Sequence, residues 1–213
     1  MHSKVFVRTG GILMVLSGAL YVGTMVTNLA GLGRVAYAWL GLAATVLLVP
    51  AIWGLGEYLR AADNELPRRF GVIAMLTGVP FLIGIYLQAY LDEVTRGSEW
   101  WSAAELAPGA ATKPLLEMIG SALDVMALVT IVIGSFLTFG VAPLALGLAS
   151  LRAPEVPRWP GWVAICGGIL GLVWIGFGWT PIPVVLFIPS AVLVTIWMLI
   201  VGTYMLRAPK RDA

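Results

Sequence analysis

The chain has 213 residues, of which 60% are apolar and 11% are charged, and its mean hydropathy is +0.94. Soluble domains carry roughly 25% charged residues, so this composition excludes an ordinary water-soluble fold and predicts an all-α protein embedded in lipid. A single histidine, His2, excludes a bis-histidine haem, a His-rich zinc site and histidine-based catalysis within the membrane. A single cysteine, Cys166, excludes an intrachain disulfide. We expect neither a bound metal nor a cofactor.

Apolar segments long enough to cross a bilayer follow one another along the chain. Crossing about 30 Å of hydrocarbon takes about 20 residues at 1.5 Å per residue. The pattern therefore predicts one transmembrane domain over residues 1–213, with its helices arranged as hairpins and one large outer loop at residues 92–118. The six predicted spans are residues 9–32, 36–59, 70–91, 119–151, 159–179 and 182–206.

Lysine and arginine residues divide unevenly between the two sides of the predicted bundle. With the N-terminus inside, ten of the 13 basic residues fall on inner segments, and only Arg34, Arg96 and Lys113 fall on outer ones. Because cytoplasmic loops are enriched in Lys and Arg, this split predicts a multi-pass protein of the cell membrane with both termini in the cytoplasm. The inner basic residues are spread over the inner loops, which indicates topology and no nucleic-acid partner.

Pairs of glycines seven residues apart follow an arginine at the start of each odd-numbered span. This spacing favours a repeat of three parallel hairpins, although glycine-rich membrane helices can also match by chance. Glycines seven apart lie on one helix face, where small residues let neighbouring backbones approach, so we expect the stripes to serve packing. The pairs are Gly11 and Gly18, Gly71 and Gly78, and Gly161 and Gly168.

Prolines interrupt the second and fourth predicted spans. Pro50 and Pro143 each lie about ten residues before an arginine that marks the inner end of the span. A proline inside a helix removes one backbone hydrogen bond, so we expect each to bend its helix and to leave carbonyl groups for neighbouring helices or water.

The entry of the fifth span has the sequence Val-Pro-Arg-Trp-Pro-Gly-Trp at residues 156–162, and the sixth span ends in Leu206-Arg207. These segments resemble a family of uncharacterised bacterial six-helix integral membrane proteins, a domain of unknown function. The resemblance implies a six-helix bundle in a bacterial inner membrane. It implies no catalytic or binding residues, because the family has no assigned activity.

Polar side chains gather at the predicted outer rim. No acidic or basic residue falls near the predicted midplane, so the sequence does not favour a proton relay or an ion pathway. Gln88 and Asp92 are four residues apart, and Glu117 and Asp124 are seven apart, so each pair shares a helix face. With Asn28, these residues could line a vestibule in which Asp92, Glu117 and Asp124 are the candidate catalytic acids. Alternatively, the acids are solvated groups at the external ends of helices.

The outer loop contains two adjacent tryptophans, Trp100 and Trp101, in a segment with the pattern of a short helix. Tryptophan is enriched at membrane interfaces, so this segment is either an interfacial anchor or a lid over the outer mouth of the bundle. As a lid, Trp100 and Trp101 would bind a ligand together with Asn28 and Gln88. Thr112 and Pro114 are typical of a helix start, which would let the fourth helix project above the membrane.

These observations leave three functions open. The first is a non-enzymatic bundle that binds a lipophilic small molecule or a membrane protein partner, with membrane lipid around it. The second is a membrane-embedded enzyme of the isomerase or cyclase type, which would use the outer-rim carboxylates on a lipid-like substrate. The third is a small permease in which the proline-broken helices move. The sequence favours the first, because it contains no recognisable catalytic constellation.

Overall fold

The computed structural model describes residues 2–61, 65–96, 98, 102, 112–153, 156–176 and 183–207. Helix dominates these residues and no strand occurs among them, which confirms the predicted all-α class. A short 3-10 turn, Leu59–Ala61, follows the second helix, and a π-helical segment, Phe136–Val141, joins the fourth helix to the fifth. The helices are α1 His2–Leu29, α2 Arg34–Tyr58, α3 Glu65–Arg96, α4 Thr112–Ser135, α5 Ala142–Leu151, α6 Arg158–Gly176 and α7 Pro183–Arg207.

Five helical stretches in the described part of the chain are long and apolar enough to cross a membrane. The fourth of them runs through α4, the π segment and α5, and the helix begins at Thr112, as the sequence predicts. The shorter α6 has 19 residues and is not among the five. The five stretches are Val5–Leu29, Arg34–Tyr58, Glu65–Thr95, Pro114–Leu151 and Phe187–Arg207.

The helices form a closed ring. α1 packs against α2, α2 against α3, and α6 against both α5 and α7. α4, the π segment and α5 form one helical stretch that packs against α3, and α7 returns to pack against α1. Large side chains fill the middle of the ring, so that it encloses a packed core. The largest fully buried ones include Trp197, Met14, Leu48, Ile52, Met75, Leu82 and Leu146.

The outer surface of the ring is apolar, whereas several polar side chains lie inside it. Large exposed side chains such as Ile12, Val46 and Ile169 lie on the outside of different helices. Contiguous apolar surface of this kind is rare on soluble monomers and is typical of contact with lipid. Inside, the Ser17 hydroxyl donates to the Ala44 carbonyl at 2.8 Å and thereby links α1 to α2. Such hydrogen bonds between helices stabilise bundles in lipid.

The glycine stripes serve packing, as the sequence predicts. A Cβ added at Gly11 would lie 2.9 Å from the Gly202 carbonyl oxygen, and one at Gly161 would lie 2.9 Å from the Gly147 carbonyl oxygen. Adding a methyl group at either position would therefore force two helices apart. The stripes on α1 and α6 face helices of a different hairpin, α7 and α5, respectively. Gly71 on α3 instead faces Leu146 of α5, which belongs to the same hairpin as α3. The three hairpins therefore do not use their glycines in equivalent ways.

The two predicted proline interruptions have different surroundings. Pro50 is exposed, and α2 continues through it from Arg34 to Tyr58. Pro143 is buried at the start of α5, directly after the π segment, and that segment is not predicted from the sequence. The Ser190 hydroxyl of α7 lies 3.5 Å from the Phe139 carbonyl oxygen, the acceptor that Pro143 cannot serve in an α-helix. That hydroxyl has a single proton and donates it to the Gly167 carbonyl at 2.8 Å, so its approach to the Phe139 carbonyl is only a long contact.

Candidate functional site

A cavity of about 430 Å³ opens beside the turn between α1 and α2. We call it the turn cavity. The end of α1, the turn itself, the start of α2 and one residue of α3 form its walls. The residues that line it are Thr27, Asn28, Gly31, Gly33, Arg34, Tyr37 and Ala89.

The turn that forms one wall requires its glycines. Gly31 has a φ of +65° and Gly33 a φ of +99°, which is a region that side-chain-bearing residues rarely adopt. The Leu32 amide donates to the Thr27 carbonyl at 3.0 Å, and the Gly31 amide donates to the Asn28 carbonyl at 3.4 Å. This pair of hydrogen bonds is the Schellman motif, which ends α1 by satisfying its last carbonyl groups. The Asn28 side chain remains exposed at the cavity.

An ion pair joins α2 to α3 beside the turn cavity. Arg34 Nη1 donates to Asp92 Oδ2, and the side chains are 62% and 15% exposed, respectively. Asp92 is therefore the more buried partner, and the flexible arginine reaches it across the rim. From the sequence, Arg34 is predicted only as a charge that sets topology. Its position directly after the turn, opposite the predicted end of the third span, was the signal that could have paired it with Asp92.

Tyrosines extend the site into the bundle. The rings of Tyr37 and Tyr86 lie 5.4 Å apart, and a Cβ at Gly41 would collide with the Tyr86 ring. Deeper in the bundle, the Tyr21 and Thr45 hydroxyl oxygens form a 2.9 Å hydrogen bond between α1 and α2. Of these rings, that of Tyr37 lines the cavity and gives it an apolar side below its polar rim. None of these tyrosines is among the site residues predicted from the sequence.

The remaining predicted site residues lie elsewhere. Gln88 Nε2 donates to the Leu123 carbonyl at 2.5 Å, so this side chain ties α3 to α4 and is engaged with backbone. Glu117 and Asp124 are exposed on α4. The structure thus brings Asn28 and, through Arg34, Asp92 to the turn cavity, and it places Gln88, Glu117 and Asp124 on the α4 side. The candidate residues Trp100 and Trp101 lie outside the described residues.

The turn cavity combines a guanidinium, an amide and a hydroxyl at its rim with a tyrosine ring below. Within the part of the chain that the structure describes, no group of three His, Cys, Asp or Glu side chains could hold a metal ion. No family model, curated protein or solved structure matches the chain.

Proposed function

We propose that the chain spans a membrane six times, with both termini in the cytoplasm. Five helical stretches are long and apolar enough to cross a membrane, and α6 supports one further crossing between the fourth and the last of them. Its 19 apolar-rich residues extend about 28 Å at 1.5 Å per residue. The uneven division of basic residues supports the orientation. The resemblance of the α6 entry to bacterial six-helix proteins supports a bacterial inner membrane as the location.

Cysteine labelling tests this topology. Cysteines at positions 103 and 213, introduced on a Cys166→Ala background, should react with a membrane-impermeant maleimide from the outside and the inside, respectively. Cys166 has to be replaced because it is exposed on the bundle surface. Labelling of both positions from the same side would contradict six spans.

We further propose that the bundle is non-enzymatic and that it binds a lipophilic molecule with a polar head group in the turn cavity. The observation that carries this proposal is the cavity itself. Its volume of about 430 Å³ lies within the roughly 300–1,000 Å³ of known ligand sites. Asn28 and Arg34 would bind the polar head, and Tyr37 would pack against the apolar part. The opening lies at the end of the bundle, where an amphiphile can enter from the interface.

The enzymatic alternative has less support. Acid–base chemistry needs carboxyl groups within hydrogen-bond reach of one reacting centre. Asp92 is engaged with Arg34, and the exposed Glu117 and Asp124 lie on another helix, α4. A permease would need a second packing arrangement of the ring. The π segment before Pro143 favours a movable fourth span, but the fully buried Trp197 and its neighbours fill the interior through which a substrate would pass.

A cavity-filling variant tests the binding proposal. Ala89→Trp places a large ring in the turn cavity, whereas Ala43→Trp places the same ring on the exposed face of α2. Small molecules that co-purify with each detergent-solubilised protein would be extracted and quantified by mass spectrometry. We expect the wild type and Ala43→Trp to retain the same amphiphile and Ala89→Trp to lose it. Equal retention by both variants, or no retained amphiphile in the wild type, would refute the proposal.

A further inference from the structure

A second groove lies between α2 and α3, at the opposite end of α2 from the turn cavity. Its volume is about 240 Å³. We call it the arginine groove, because two adjacent arginines of α3 form its polar end together with Glu57 of α2, while Gly56 and apolar side chains form the rest. The other residues that line it are Trp53, Arg68, Arg69, Val72, Ile73 and Leu76.

Arg68 supplies a fixed positive charge in the wall of the groove. Its side chain is only 11% exposed, and its Nη1 donates to the Gly56 carbonyl at 2.9 Å. Gly56 belongs to the last turn of α2, whose carbonyl groups lack helical partners, so Arg68 caps that helix end. The buried Nε of Arg68 has no hydrogen-bond partner among the described residues. The guanidinium is thus held in place while part of its donor capacity is unused.

Two acidic residues in the described part of the chain lie at the groove, Glu57 in its lining and Glu65 beside the two arginines. Glu57 forms an ion pair with Arg60 at 3.4 Å. The carboxylate of Glu65 lies 3.6 Å from Arg68 Nη2 and 2.5 Å from Arg69 Nη2, so one acid faces two guanidinium groups. Among the described residues, these five side chains carry three positive and two negative charges, which is a net charge of +1. Arg69 is 64% exposed and can therefore reach an anion outside the protein.

The remainder of the groove is apolar and faces outward. Trp53 is 56% exposed and Ile73 is 62% exposed, while Val72 and Leu76 are half-buried between them. The apolar part runs along α2 and α3 away from the arginines, in the direction that a lipid chain takes into the bilayer. A free phosphate ion would occupy only the polar end. A molecule with both an anionic group and a long apolar chain occupies the entire groove.

We propose that the arginine groove binds one anionic phospholipid of the adjacent leaflet. Its phosphate contacts Arg69, with the fixed charge of Arg68 behind it, and an acyl chain lies over Trp53 and Ile73. Guanidinium groups match phosphate oxygens with paired hydrogen bonds, which gives the polar end its selectivity for an anion. This site is independent of the turn cavity and requires only that the bundle lies in a membrane.

Native mass spectrometry of the detergent-solubilised protein, titrated with phosphatidylglycerol or phosphatidylcholine, tests the polar end. We expect the wild type to bind phosphatidylglycerol more tightly. Arg69→Gln should weaken that binding about tenfold, which corresponds to about 1.4 kcal/mol. Arg158→Gln is the control, because Arg158 is also exposed but lies at the start of α6 and does not line the groove. Equal losses in the two variants, or equal binding of the two lipids, would overturn the proposal.

A matched pair of tryptophan variants tests the apolar end of the arginine groove. Trp53→Ala should weaken phosphatidylglycerol binding several-fold, whereas Trp39→Ala should leave it unchanged. Both tryptophans belong to α2 and are similarly exposed, at 56% and 57%, but Trp39 lies at the other end of the helix. If Trp53→Ala binds like the wild type, the groove binds an anion and no acyl chain, and the phospholipid assignment is wrong.

Discussion

Replacing Gly11 with alanine is expected to loosen the contact that closes the helix ring between α1 and α7. The added Cβ would lie 2.9 Å from the Gly202 carbonyl oxygen, 2.9 Å from the Met205 Cβ and 3.1 Å from the Leu206 amide nitrogen. These atoms are backbone or are attached directly to it, so they cannot rotate away and the helices must separate. Overpacking of this kind destabilises proteins by typically about 1–3 kcal/mol.

Gly23→Ala is the matched control on the same helix. A Cβ at Gly23 would have Leu40 Cδ1 as its nearest neighbour, at 3.6 Å, which is an ordinary van der Waals contact. Both substitutions stabilise their helix by up to about 1 kcal/mol because alanine is a better helix former than glycine. This gain cancels when the two variants are compared, so the difference between them isolates the overpacking. We therefore expect Gly11→Ala to be about 1–3 kcal/mol less stable than Gly23→Ala.

The free energy of unfolding can be measured in mixed micelles by raising the fraction of sodium dodecyl sulfate and following far-ultraviolet circular dichroism. The wild type provides the reference, and Gly23→Ala should equal or exceed it. Equal unfolding free energies for the two alanine variants would refute the close approach of α1 and α7. A ring that is open at this point would tolerate both methyl groups.

The same unfolding assay checks three further expectations. Ser190→Ala removes a buried hydroxyl that donates to the α6 backbone at 2.8 Å, so it should lower the free energy of unfolding by about 0.5–1.5 kcal/mol. Ser121→Ala is the control and should have no effect, because that exposed hydroxyl is hydrogen-bonded within its own helix. Trp197→Ala should cost about 3–5 kcal/mol through the cavity it leaves. Trp197→Phe should cost less than half as much, because the indole N–H has no acceptor among the described residues. A double-mutant cycle of Arg34→Gln and Asp92→Asn should show a coupling free energy below about 1 kcal/mol, because Arg34 is 62% exposed. This coupling free energy should fall with added salt, and a salt-independent value would contradict the reasoning.

The positions of the helices could be predicted from the sequence because apolar length is a strong signal. Arg34 begins α2 within two residues of the predicted start of the second span, and Thr112 begins α4 where the cap pattern indicates. Lateral packing was harder to predict. These helices are apolar on nearly every face, so the periodicity that identifies the buried face of a soluble helix is weak. The positions of glycines indicate the packed faces instead, and Gly11 lies on the face of α1 that contacts α7.

The candidate site was predicted only in part, because sharing a helix face does not fix a partner. Gln88 and Asp92 are one helical turn apart, but Gln88 donates to the backbone of α4 and Asp92 accepts from Arg34 of α2. The difference arises because α3 lies between two neighbours in the ring and each side chain reaches the nearer one. The π segment at 136–141 was missed for a related reason. A proline predicts a lost hydrogen bond but does not specify how the backbone accommodates that loss.

The contact between α1 and α7 has a consequence for biosynthesis. Gly11 and Gly202 are neighbours in the ring but lie near opposite ends of the described chain. At about 5–20 residues per second, a ribosome takes roughly 10–40 s to synthesise the segment between them. During that interval the first hairpin is already long enough to insert, and its glycine face has no helix to cover it. Lipid, an insertion factor or a second nascent copy must occupy this face until α7 arrives. The last step of ring assembly is therefore the displacement of a temporary occupant, and its rate should depend on what that occupant is.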